Sequence, residues 1–262
     1  MIRTKTPKQI DKMATAGALV GECHALARSM AKPGATTAEI NAAVEKLIES
    51  RGAIAAFKGV KGAPGVQDFP FACCMSVDER VVHGFPNDTP LREGQILSVD
   101  IGTRVNGWYG DAARTFIIGE KVDPRVKELV DVTEAALYEG IRLMLPGNYL
   151  TDIGHAIQTY VEARGFSVVR DLVGHGIGQN LHEEPQVPNY GEGRRGLKLR
   201  EGMVLAVEPM INLGTWKVKV LDDGWTVVTQ DGQPSAHFEH TIAITKDGPR
   251  ILTPEPEQAA NW

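Results

Sequence analysis

The chain has 262 residues, which at roughly 150 residues per domain means one large domain or two small ones. It is 42% hydrophobic and 23% charged, which excludes bulk disorder, and its net charge of −5 argues against a general nucleic-acid binder. No run of about 18 apolar residues spans a membrane, no apolar leader opens the chain, and three cysteines (Cys23, Cys73, Cys74) make no disulfide framework, so reduced thiols and a cytoplasmic location are expected.

Thr6 before Pro7 caps a first helix that runs to about Ala31 and stops at Lys32-Pro33-Gly34. Thr36 and Glu39 form a capping box for a second, ending near Arg51-Gly52. Residues 58–72 carry Gly and Pro and read as a loop, followed by strands over 73–82, 95–102 and 108–118. Asp123-Pro124 starts a third helix stopping at Pro146-Gly147, and Thr151 caps a fourth stopping at Arg164-Gly165. Strands then dominate, near 166–173, 203–211, 216–221, 225–229 and 237–245, and the tail PEPEQAANW reads as frayed.

Two segments recur. Pro33–Gly52 aligns without a gap with Pro146–Gly165 at an offset of 113, sharing Pro33/Pro146, Gly34/Gly147, Ile40/Ile153, Ala43/Ala156, Glu49/Glu162, Arg51/Arg164 and Gly52/Gly165. LREGQILSVD, ending on Asp100, aligns with LREGMVLAVE, ending on Glu208, at an offset of 108 with six identities in ten. Two such matches in the same order predict a duplicated αα-then-β unit, with a site on the pseudo-twofold axis between the halves. The expected organisation is a single catalytic domain over 1–262, with halves of about 1–120 and 121–262.

The carboxylates in the strands carry the chemistry. MVLAVEPM is apolar on both alternating faces, which marks a strand covered on both sides, yet Glu208 interrupts it; Glu239 sits similarly in HFEHTIAI. An unpaired buried carboxylate costs several kcal/mol or stays protonated, and a metal or a cation removes that cost. Asn106-Gly107 is a strong hairpin turn. With these as the two turn residues, Asp111 faces Gly102, and Asp100 becomes its diagonal neighbour on the same face, roughly 7–8 Å away in backbone. Two carboxylates so placed can grip one cation or bridge two; the competing reading is a pair of exposed hairpin charges.

Of seven histidines, His175 and His182 fall in GHGIGQNLHEEP and His83 in VVHGFP, where flanking glycines leave an imidazole open to a metal or substrate. His24, His155, His237 and His240 read as structural. HEEPQ lacks the second His of a zinc-helix motif, the glycines at 174, 176 and 178 do not make a dinucleotide fingerprint, and adjacent Cys73-Cys74 before an apolar strand reads as packing rather than as a nucleophile.

With Asp100, Asp111, His175, Glu208 and Glu239 in that order, the chain resembles the type I methionine aminopeptidases of peptidase family M24. The likeness covers nearly the whole chain through long strings: VVHGFP, SVDIG, GWYGDAARTFIIG, GFSVVRDLVGHGIG, LHEEPQVPNY, GMVLAVEPM and DDGWTVVTQDG. It implies an α+β pita-bread fold, two halves around a pseudo-twofold with a central antiparallel sheet and helices outside. It implies two divalent metal ions (Co, Mn, Fe, Zn or Ni), with Asp111 and Glu239 bridging, Asp100 completing one ion, and His175 and Glu208 the other. A metal-activated water would be the nucleophile and Glu208 the proton shuttle. His182 would stabilise the oxyanion, and His83 would contact the scissile amide nitrogen or help protonate the leaving amine. Phe69, Cys74, Leu181 and Trp225 would line the methionine pocket. The implied reaction removes the initiator methionine from nascent chains when the second residue is small.

The implied partners are nascent polypeptide N-termini starting with Met, with transient ribosome contact. Lys5, Lys8 and Lys12 are candidates for that contact, read otherwise as a solvated helix face; no membrane and no specific nucleic acid are expected. The chain departs from the family pattern in the longer stretch KGVKGAPGVQDF before Phe69, and in Leu181 where many relatives have Phe. It also departs in Asp78-Glu79-Arg80, near which relatives hold a monovalent cation together with a Ser matching Ser235; no such site is assigned here. Two alternatives share the fold. A proline-directed peptidase is disfavoured by the LHEEP string and by a first helix starting near residue 7. A non-catalytic ribosome- or RNA-associated binding protein is disfavoured by the full set of five ligand-type residues.

Overall fold

The computed structural model describes residues 2–256. Helix α1 spans Pro7–Met30, and α2 spans Thr37–Ser50. Each begins with a reciprocal capping box, Thr6 with Gln9 and Thr36 with Glu39, which satisfies two orphan N–H groups per helix. Helix α3 spans Pro124–Ile141, capped by the Asp123 carboxylate on Arg125 N, and α4 spans Leu150–Glu162. The third helix therefore stops short of Pro146-Gly147. Tight bonds from Leu143 N to Gly140 O and Met144 N to Ile141 O replace the helical ladder there. The fourth helix is capped not by Thr151 but one turn-residue set earlier, where the Asp152 carboxylate accepts Tyr149 N at 2.9 Å. Thr151 instead bonds the backbone of Arg195. The 113 offset of the repeat already places Tyr149 and Asp152 opposite Thr36 and Glu39.

The strand Ile96–Val105 forms a long hairpin with Trp108–Ile117. Its register is the one derived from the turn: Val105 faces Trp108 and Gly102 faces Asp111, and Asn106 and Gly107 have φ of 48° and 82°. On its other edge Ile96–Val105 pairs with Cys73–Val77, and Ile54–Ala55 adds a short strand beside it. A five-stranded sheet orders Gly248–Ile251, His240–Thr245, Val204–Val207, Gly174–Gly176 and Glu183–Val187, all antiparallel. The two sheets join where Glu239 N donates to Ala113 O and Asp111 N donates to Thr241 Oγ1.

Several strands break where the sequence suggested continuity. The 73–82 segment splits at Asp78, φ 51°, whose carboxylate accepts Ile96 N and Gln95 Nε2. The 203–211 segment splits into Val204–Val207 and Met210–Asn212 around Glu208-Pro209, because proline has no N–H for the ladder. The 237–245 segment splits into Ser235–His237 and His240–Thr245 around Phe238-Glu239. Both of these breaks fall on carboxylates. Only Ser167–Val168 is strand within 166–173, and Gly174–Gly176 and Glu183–Val187 are strands that the sequence pattern did not suggest.

The repeats dock alike. Gly34 N donates to Leu91 O at 2.8 Å and Leu91 N to Ala35 O at 2.8 Å. At the 113 and 108 offsets, Gly147 N donates to Leu199 O at 3.0 Å and Leu199 N to Asn148 O at 2.8 Å. Helices α3 and α4 pack one apolar cluster on the second-half strands, and α1 and α2 pack another on the hairpin sheet. No helix among the described residues is long and apolar enough to cross a membrane. All three cysteines are free and buried.

The last described segment crosses α1 at van der Waals contact. A Cβ on Gly17 would lie 2.0 Å from Leu252 O, and one on Gly21 2.0 Å from Pro254 O. The segment is held by Glu255, which pairs with buried Arg114 at 3.2 Å and with Arg28 at 2.7 Å; Arg114 also donates to Thr253 O and Glu239 O. The tail is thus anchored rather than frayed at 254–255, because a buried guanidinium needs a counter-charge; the rest of it, 257–262, lies outside the described residues. Glu255→Ala leaves Arg114 buried with less compensation, and should cost about 3 kcal/mol of stability, read as a lower urea midpoint. An unchanged midpoint would remove the pair from the account.

Candidate active site

A cleft of about 570 Å³ opens between the two sheets, and every residue singled out from the sequence lines it: His83, Asp100, Asp111, His175, His182, Glu208 and Glu239, with Phe69, Cys74, Leu181 and Trp225. Asp100 and Asp111 come from the hairpin, two residues apart in register on one face. Glu208 and Glu239 come from the two strand breaks, and His175 from the strand paired at Ala206. Asp111 is 3% exposed and its hairpin neighbour Asp100 is half-buried, so the two are not exposed hairpin charges; Glu239 is 2% exposed.

Donor atoms of Asp111, His175 and Glu239 lie within 4.8 Å of one another. His175 Nε2 is 3.6 Å from Glu208 Oε1 and 4.0 Å from Asp111 Oδ2. Its Nδ1 lies 2.9 Å from Gly176 O, which favours the tautomer with the proton on Nδ1 and leaves the Nε2 lone pair facing the carboxylates. Burial pushes all four carboxyls above their usual range, and neighbouring charges raise three of them further: Asp111 feels Glu239 and Asp100, Glu208 feels Asp100 and Asp111, and Glu239 feels Glu208 and Asp100, whereas a hydrogen bond with Asp111 partly offsets burial at Asp100. Among the described residues, no lysine or arginine lines the cleft. Asp100 Oδ1, Asp111 Oδ1 and Glu239 Oε1 are buried without a hydrogen-bond partner among the described residues. Four carboxylates, three unpartnered oxygens and one imidazole lone pair converge without a cation, and this donor set fits divalent metal.

The surroundings of His83, His175 and His182 disfavour the protonated imidazolium. Burial, then His182, pushes His83 down to about 4; the same causes push His175 to about 4, and burial lowers His182. The His175 and His182 rings stand edge to face, centroids 4.5 Å apart, and His83 stands edge to face with Trp225 at 6.1 Å. Trp225 in turn meets Phe69 at 5.2 Å, and Phe69 meets Phe85 at 5.5 Å. The longer stretch before Phe69 folds onto this wall. Gly59 N donates to Phe69 O, Phe69 N to Val60 O, and Trp225 Nε1 to Gln67 O at 2.9 Å. Cys74 lines the cleft while Cys73 faces the core.

His237 departs from its structural reading. Its Nε2 is buried, lacks a hydrogen-bond partner among the described residues, and lies 3.8 Å from Glu208 Oε2. Its position two residues before Glu239 was the available signal. His24 bonds Ala112 O, His155 bonds Gly191 O, and His240 contacts Thr253 and Tyr138, which are packing roles. Phe57, Val60, Leu172, Gln186 and Met210 also line the cleft; nothing in their local sequence distinguishes them from core. Lys5 is not on a solvated helix face: it precedes α1 and is buried against Glu183.

Antiparallel sheets flanked by helices, with carboxylates and histidines meeting between them, define a metallopeptidase scaffold, and comparison with known proteins agrees. The profile described as metallopeptidase family M24 matches residues 11–246. Methionine aminopeptidase of Clostridium perfringens is 49% identical over 253 residues, spanning 97% of this chain and 99% of that protein. The crystal structure of methionine aminopeptidase from Thermotoga maritima superposes with a TM-score of 0.93 at 48% identity, covering 97% of this chain and all of that one. A prolidase from Pyrococcus horikoshii shares the fold at a TM-score of 0.74 and 22% identity, with 95% of this chain matching 63% of that one. The chain belongs to metallopeptidase family M24 and, within it, to the methionine aminopeptidases.

Proposed function

We propose that this chain removes the N-terminal methionine from nascent polypeptides whose second residue is small, acting as one catalytic domain of two related halves, about 1–120 and 121–262. The observation that carries the reading is the convergence of four buried or half-buried carboxylates and His175 beside His83 and His182, against a wall of Phe69, Cys74, Leu181 and Trp225. Asp100, Asp111, His175, Glu208 and Glu239 would hold two divalent ions, whose charge the four carboxylates offset. An imidazole-plus-carboxylate set accepts Co, Mn, Fe, Zn or Ni. Ions held there supply Lewis acidity at the scissile carbonyl and make a water nucleophilic near neutral pH.

This chain's own groups do the rest. Glu208 would take the water's proton and pass it toward the leaving amine. His182, neutral, donates an N–H to the carbonyl oxygen as negative charge develops, an interaction strongest in the transition state. His83, also neutral, orients the amide nitrogen. Methionine's flexible thioether packs against the aromatic rings and the Cys74 sulfur. The site is expected to work in the cytoplasm. Transient ribosome contact would fall to exposed groups such as Lys8 and Lys12, since Lys5 is engaged internally.

The steric limit on the second residue is tested by comparing Met-Ala-Ser with Met-Leu-Ser. The reading expects kcat/KM to favour the first by on the order of 100-fold, the scale on which a pocket rejects excess bulk. Equal values would remove the small-residue rule.

A further inference from the structure

The turn that carries His182 is wrapped around an ion pair whose cation comes from the far end of the chain. Glu183, next to His182, accepts Gln179 N at 3.0 Å and Asn180 N at 3.2 Å through Oε1. Its Oε2 accepts Lys5 Nζ at 2.9 Å, and the two side chains are only 6% and 9% exposed. Lys5 is itself tethered, its backbone N donating to Gly202 O at 2.7 Å. It passes so close under the turn that a Cβ on Gly178 would lie 2.6 Å from Lys5 Cε and 2.7 Å from Glu183 Oε1. Burial raises the Glu183 carboxyl, but Lys5 and the two amides outweigh it and hold the group below its usual range, hence ionised. The start of the turn is fixed by Tyr109 N donating to Gly178 O at 2.9 Å.

We propose that Lys5 is a positioning residue for His182: with Glu183 it locks the 178–183 turn so that the imidazole stands where the oxyanion forms. The inference rests on the reading of His182 as the oxyanion donor. Without the ammonium, Glu183 is a buried carboxylate lacking its counter-ion, and it leaves the two turn amides to seek water. The ring of His182 is then placed by a loosened turn. A misplacement of about 1 Å costs an oriented catalytic group much of its effect. Leu181 on the same turn is held by apolar packing, so methionine binding suffers less.

The test uses full-length, metal-loaded protein and four forms: wild type, Lys5→Met, His182→Ala and the double variant. Lys5→Met should lower kcat on Met-Ala-Ser about 10-fold, with KM and bound metal per chain changed less than about two-fold. In the His182→Ala background the same substitution should cost less than about two-fold, because the group it positions is gone. Equal losses in both backgrounds, or no loss in either, would overturn the proposal. If Lys5→Met does not fold, Glu183→Gln, which keeps an acceptor for the amides and breaks only the charge pair, takes its place with the same expectations. Should His182→Ala alone retain wild-type turnover, the oxyanion assignment fails rather than the lock. Amide exchange then decides: Gln179 and Asn180 should lose protection about 10-fold or more in Lys5→Met, and unchanged protection sinks the lock.

Discussion

His175→Ala should lose bound metal and turnover together. The imidazole presents Nε2 at 3.6 Å from Glu208 and 4.0 Å from Asp111, held in that tautomer by Gly176 O. It is the only neutral member of the proposed ligand set, so its removal leaves four crowded carboxylates. Burial already drives their pKa values up, and without a cation they take protons instead. Supporting groups around metal ligands are each worth about 10–100-fold in affinity, and a direct ligand should cost at least that. Equilibrium dialysis with Mn²⁺ beside peptide turnover checks it. Full activity at normal metal content would remove His175 from the ligand set.

His182→Ala should separate the two properties. Its ring packs at 4.5 Å from His175 and lies outside the proposed ligand set. Metal per chain should stay near wild type, while kcat falls by roughly 100-fold, the scale of one lost oxyanion donor. KM should move little, because the interaction is made mainly in the transition state. Turnover near wild type would take His182 out of the mechanism, and loss of metal would make it a ligand. The pair of variants therefore assigns the two histidines of one short Gly-rich stretch to different jobs.

How far such assignments were legible in the sequence follows from the range of the contacts that make them. The Asp100–Asp111 relation rests on a two-residue turn, and the Gly102–Asp111 register follows from counting outward from Asn106-Gly107. The duplicated docking of Gly34 on Leu91 and of Gly147 on Leu199 was encoded as two constant offsets. The Tyr149 cap was legible from the same offset, and was obscured by the stronger capping propensity of Thr151. Pro209, which has no N–H, makes the break beside Glu208, whereas the break at Glu239 has no proline. It arises because Glu239 N turns to Ala113 O on the other sheet.

Long-range contacts were not legible. His237 reaches Glu208 because Met210 pairs with His237 across a register set by two short strands. Lys5 is buried by a carboxylate 178 residues away, which no local pattern of charges indicates. Glu255 lies in a tail that reads as frayed, yet Arg114, buried behind Glu239, requires it as a counter-charge. In each case a polar group is placed by the cost of burying its partner unpaired, and that cost exists only once the chain has closed.

The central claim is metal-dependent release of N-terminal methionine from this cleft. Metal-stripped protein, assayed on Met-Ala-Ser with and without added Mn²⁺, tests it most directly, with Ala-Pro-Ser as the control. The account predicts no cleavage without metal, free methionine from Met-Ala-Ser once Mn²⁺ is restored, and no cleavage of Ala-Pro-Ser. Cleavage of Ala-Pro-Ser, or an inert protein with two ions demonstrably bound, would contradict it.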